Sequence, residues 1–175
     1  MNHPEPVLLP FISLEAAELM TGISRRTLWR RVADGVLDSG PKDARGRATL
    51  GLDALREPLQ EYTGLSLGPD EQLLLLQADT GQADAQTELG ALLYLRNGAA
   101  HPAPREALHW LQQAADQGHA DAMHWLALTS AAQHGAPCRH EALMWLGRAA
   151  TAGHMIARQQ LDSLLDSAQI EPAAR

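Results

Sequence analysis

Four arginines fall within residues 24–33, SRRTLWRRVA, at positions 25, 26, 30 and 31, with Ser24 and Thr27 beside them. A guanidinium presents a planar fork of N–H donors that suits phosphate oxygens and the edge of guanine, and hydroxyls bond to either. The chemistry on offer is recognition of an anion. Lys42, Arg45 and Arg47 extend the basic island: residues 24–50 carry seven Lys/Arg against three Asp/Glu, on a chain of 175 residues whose net charge is −7. Charge alone favours the plainer alternative of a solvated face. Four arginines on one short helix repel one another, however, so leaving them without an anion has a cost.

Other reactive residue types do not assemble in this way. His101, His109, His119, His124, His134, His140 and His154 all lie after residue 64, and no two have the i, i+4 spacing of a helical metal clip. Cys138, the single cysteine, follows Pro137 and lies near His140, without a third group or an oxyanion device. No phosphate loop, GxGxxG or HExxH is present. The chain is therefore expected to be no enzyme and to hold neither metal nor cofactor. One cysteine excludes an internal disulfide framework and suits a reducing compartment. Pro4, Pro6 and Pro10 interrupt a start that has no signal-peptide pattern, and the apolar runs are too short to cross a bilayer. A cytoplasmic location without a membrane partner is the expectation.

The basic side chains need an element behind them. Ser13 precedes LEAAELM, a short helix capped by its hydroxyl, with Leu14, Ala17 and Leu19 or Met20 available to a core. Thr21 and Gly22 break it at a tight turn. Ser24 caps a second helix, RRTLWRRVAD, which ends at Gly35 and holds Leu28 and Val32 on its inner face. The arginines lie on its other faces. Trp29 between them is expected to pack against the next element, a hairpin with a basic tip in GPKDARGRATL. A helix from about Asp53 to Tyr62 comes after it. Such a second helix can enter a major groove while the hairpin touches the backbone beside it.

The segment ISLEAAELMTGISRRTLWRRVADGVLD closely resembles the winged helix-turn-helix of the MerR and excisionase group, over about residues 11–60. The resemblance implies a DNA-binding module. Ser24, Arg25, Arg26, Thr27 and Arg30 would face DNA, with Arg31 on the same arginine-rich helix, and Lys42, Arg45 and Arg47 would form the wing.

Beyond a seam at residues 61–71, punctuated by Gly64, Gly68 and Pro69, the chain repeats itself. EALHWLQQAADQGHADA at 106–122 returns as EALMWLGRAATAGHMIA at 141–157, with ten of seventeen positions identical. GQADAQTELGALLYLRNG at 81–98 matches GHADAMHWLALTSAAQHG at 118–135. A helix–turn–helix period of 35–37 residues means stacked hairpins, since neither helix can bury its apolar stripe alone. Trp110 and Trp145, at the same place in each unit, are expected in the core. The words ADA…LG and EALHWLQQAADQGHADA resemble the Sel-one-like repeat, a relative of the tetratricopeptide repeat, over residues 70–168. The resemblance implies a partner protein held by the first helix of each unit, with Gln86, Tyr94, His124 and Thr129 as candidates.

The expectation is a mainly all-α chain: a winged helix-turn-helix domain at 1–64, a short α-solenoid of helical hairpins at 65–168 and a flexible tail at 169–175. Its function would be that of a DNA-binding transcriptional regulator of bacterial type, acting on double-stranded DNA. The repeat domain would bind a partner protein or mediate self-association, and a homodimer is expected for tight operator binding. The alternative is an interaction adaptor whose helix-turn-helix does not bind DNA.

Overall fold

The computed structural model describes residues 10–98, 103–132 and 136–170, the last with backbone alone at 136–137 and 167–170. His101, His134 and residues 171–175 of the expected tail lie outside the described residues. Within them the chain is mainly all-α, with one two-stranded sheet. It divides into two compact units, Met1–Thr80 and Gly81–Arg175.

The first unit runs β1 (Phe11–Ser13), α1 (Leu14–Thr21), α2 (Arg25–Ala33), β2 (Thr49–Gly51), a 3-10 turn (Asp53–Leu55), α3 (Arg56–Thr63) and α4 (Pro69–Thr80). Ser13 ends the strand and caps α1, its Oγ accepting from the Ala16 N–H at 3.1 Å. Gly22 ends α1 with φ +66°, its N–H donating to the Glu18 carbonyl. A Cβ at Gly22 would lie 2.7 Å from the Tyr62 ring on α3, so the turn and the packing both demand glycine. Ser24 caps α2, its Oγ accepting from the Thr27 N–H.

Leu28 is the one fully buried side chain of α2, and Val32 is half-buried. Trp29 is not packed away as expected but 45% exposed. Successive residues of a helix are about 100° apart, so fixing Leu28 in the core swings its neighbour outward. The expected hairpin is present: the Gly51 N–H donates to the Asp38 carbonyl, the Gly40 N–H to that of Thr49, and Ser39 bridges Leu50. On its other edge β2 pairs antiparallel with β1, placing Ile12 opposite Leu50. Both are fully buried, with Met20, Leu28, Leu59 and Leu75.

The seam expected at Gly64 is not where the units part. Leu65 and Leu67 are buried, and the Asp79 carboxylate near the end of α4 accepts from the Ser13 N–H at 2.6 Å and Oγ at 2.7 Å. These contacts tie α4 into the N-terminal unit.

Among the described residues the second unit has five helices, each packed on the next: α5 (Ala83–Arg96), α6 (Arg105–Asp116), α7 (Ala120–Ala131), α8 (Ala136–Thr151) and α9 (Met155–Ile170). Trp110 and Trp145 are buried, each burial contributing roughly 2–3 kcal/mol or more by area. The turns repeat as the letters do. Gly118 and Gly153 have φ +90° and +97°, and the next amides along, of His119 and His154, donate to the Ala114 and Ala149 carbonyls. Each histidine then caps the next helix, Nδ1 accepting from the Ala122 or Ala157 N–H.

Candidate functional site

The basic surface of the first unit starts from α2. Its residues have different freedoms. Ser24 is committed to its cap, and Thr27 Oγ1 lies 3.1 Å from Ser24 Oγ. Arg25 is held by Glu18: Nε donates to Oε2 at 2.7 Å and the Arg25 backbone N–H donates to Oε1. The hydrogen bond to Glu18, with its charge, raises the Arg25 pKa further above its ordinary value. Arg26 and Arg30, four apart on one face, are exposed, and Arg31 is half-buried. Among the described residues none of these three has an ion-pair partner. Trp29 is exposed in their midst.

The hairpin behaves otherwise. Lys42 is exposed, but Arg45 and Arg47 turn onto the C-terminal end of α4. Arg45 Nη2 donates to the Thr80 carbonyl at 2.9 Å and Arg47 Nη2 to the Asp79 carbonyl at 2.7 Å. Arg47 also pairs with Asp43 at 2.6 Å and with Asp79 Oδ1 at 3.1 Å. Burial alone would lower the Arg47 pKa, but the hydrogen bond to Asp43 and the charges of Asp79 and Asp43 raise it. Burial likewise works to raise the Asp43 pKa, and the hydrogen bonds from Arg47 and Arg45 hold it below the usual carboxylate range. Both arginines thus act on the last carbonyls of a helix, where cations are favoured. Of the three expected wing bases, only Lys42 is unengaged among the described residues. Asp43, Asp79 and Glu18, which restrain these arginines, were not singled out from the sequence. Asp43 could have been, standing four residues before Arg47.

In the second unit, the four residues considered for partner binding do not form an exposed face. Gln86, Tyr94 and Thr129 are buried. Gln86 Oε1 accepts from Gln117 Nε2 at 2.7 Å, Tyr94 meets Trp125 edge-on, and Thr129 Oγ1 donates to the Leu126 carbonyl. Polar side chains on a helix can be taken into the core when partners satisfy them. His124 is half-buried, with Nε2 3.0 Å from Gln160 Oε1 and its ring 4.2 Å from that of His154.

His119 and His154 each reach back to an aspartate of the preceding unit. His119 Nε2 lies 2.8 Å from Asp84 Oδ1, and His154 Nε2 lies 3.5 Å from Asp121 Oδ1. Because Nδ1 accepts the capping amide, the neutral ring carries its proton on Nε2 and directs it at the carboxylate. Burial, then the neighbouring His124, depresses the His154 pKa against the opposing pull of Asp121.

Among the described residues no three His, Cys, Asp or Glu side chains converge as a metal site requires, and no helix is long and apolar enough to cross a membrane. Comparison with known proteins returned no family model, curated protein or solved structure that matches the chain.

Proposed function

We propose that this protein is a cytoplasmic DNA-binding transcriptional regulator, its N-terminal unit docking α2 in the major groove and its repeats holding a protein partner. The observation that carries the reading is the exposed pair Arg26 and Arg30 beside Arg31 on a helix anchored by Leu28. The resemblance of residues 11–60 to the MerR and excisionase group supports it, as does a hairpin lying where a wing would. The phosphate contacts come from α2 and Lys42, with Arg45 and Arg47 supporting the hairpin from behind. The repeats, similar to the Sel-one-like repeat, form a short solenoid that stays off the DNA because it is acidic. No residue is assigned a catalytic role or a cofactor. A single module this small binds weakly, so the regulator works as a dimer.

Retention of a labelled random duplex, measured against salt, tests the proposal. Binding is expected to weaken steeply with salt, and each phosphate contact removed in R26A, R30A and R31A flattens the log–log slope by about 0.9. R25A is expected to matter less, since Glu18 already neutralises it. If the parent chain retains no duplex at low salt, the regulator reading falls. The adaptor alternative then stands, and one observation favours it: the engagement of Arg25, Arg45 and Arg47 within the unit.

A further inference from the structure

Between α5 and α7 lies an open groove of about 490 Å³. Half-buried Leu92 and Trp125 form its floor, exposed Asp84, Glu88 and Asp121 its rim, and exposed Leu95 one end. No Lys or Arg lines it. Trp125 is steadied edge-on by buried Tyr94, with ring centroids 6.3 Å apart and planes at 71°. Two features of the groove therefore select the same chemistry. An aromatic ring attracts a cation through its quadrupole, and the carboxylates of Asp84, Glu88 and Asp121 lining the same groove add charge of the complementary sign. The adjoining leucines suit the aliphatic stem of a long basic side chain. The groove is several times larger than one guanidinium group, so it also takes the neighbours of that side chain.

We propose that this groove binds a partner-protein segment in which arginine or lysine is flanked by apolar residues. The proposal rests on reading the repeats as a partner-binding element and deepens it; it does not depend on DNA binding. Asp84 and Asp121 are partly occupied by His119 and His154. Glu88, with no partner among the described residues, is the carboxylate most available to the incoming cation.

The test uses the full chain and a short fluorescein-labelled peptide of alternating arginine and leucine, followed by anisotropy. Binding is expected to weaken with salt and to fall about tenfold or more in E88K, because a like charge now faces the cation. E141K makes the same charge change on exposed α8, outside the groove, and is expected to bind as the parent does. W125F, which keeps a ring against Tyr94, is expected to bind more weakly than the parent and more tightly than E88K. The proposal is overturned if the peptide does not bind, if E141K loses as much as E88K, or if a glutamate–leucine peptide binds equally well. It is also overturned if a labelled peptide of residues 24–33 binds the groove more tightly, which would give the site to a second copy of this chain. Duplex retention by the same E88K preparation is expected to equal the parent's. A failure of this site and a failure of the DNA-binding reading are thereby scored separately.

Discussion

At Gly22 a single missing carbon meets two demands: φ of +66° and a Tyr62 ring where a Cβ would sit. Gly22→Ala is expected to destabilise the chain by roughly 1–3 kcal/mol, read from urea unfolding. Adding Tyr62→Ala should recover the steric part of the loss and leave the backbone part, so the two changes will not add. The positive φ was legible in the sequence, because a break between two capped helices calls for glycine. The ring was not, since Tyr62 arrives from far along the chain. The same divide runs through the arginines. Arg26 and Arg30 read correctly as exposed, because exposure follows from helical position relative to Leu28. Arg45 and Arg47 read as free wing bases because Asp79 and the Thr80 carbonyl, which engage them, are distant in sequence. Gln86 and Thr129 misled in the opposite direction: polar residues on an amphipathic helix look like surface until a neighbour satisfies them.

As an element, α4 was legible in extent and misassigned in allegiance. Pro69 opens it, Asp70 and Glu71 lie in its first turn where the helix dipole favours acids, and Gly81 follows its end. Gly64, Gly68 and Pro69 looked like punctuation between domains, yet Leu65 and Leu67 within that stretch are core residues. The Arg56 guanidinium bonds to the Leu67 carbonyl at 2.8 Å and to Gln72 Oε1, which fastens the stretch to α3. A fragment of residues 1–80 is therefore expected to unfold cooperatively on heating. A fragment of residues 1–64, which leaves Ser13 without Asp79 and Arg47 without its second carboxylate, is expected to show no such transition. Circular dichroism on the two fragments decides it, and equal melting curves would return α4 to the repeats.

Across the whole molecule, the mainly all-α class followed from a composition dominated by Ala and Leu with few β-branched residues, and in the second unit the packing of each helix on the next followed from the 35–37 residue period. The physical reason is that repeated apolar stripes must be covered by the next helix in line. Met123 and Ala127 on α7 are buried, whereas Arg158 and Asp162, their repeat equivalents on α9, are exposed. Burial of His154 and the neighbouring His124, working against the pull of Asp121, make the start of α9 sensitive to acid. The folded pKa of His154 lies below its ordinary value of 6.5, so as pH falls the unfolded chain takes up the proton first. Stability is expected to be full above about pH 6.5 and to decline as pH falls through the depressed folded value. Protonation of Nδ1 would also remove the acceptor that caps α9. Hydrogen exchange at about pH 7.5 and about pH 5.5 should show α9 losing protection before α5. H124Q removes the neighbouring imidazole and is expected to lessen that loss.

Those histidine–aspartate links have a further consequence for how such a chain can lengthen or shorten. Asp84 near the start of α5 and Asp121 near the start of α7 each meet the histidine that opens the next unit. Excising residues 119–153 would bring His154 into the place of His119, facing Asp84, and inserting a copy would set a new histidine against a new aspartate. At both of these junctions the clasp is already matched, so a whole unit can be gained or lost there without any residue being redesigned at the splice.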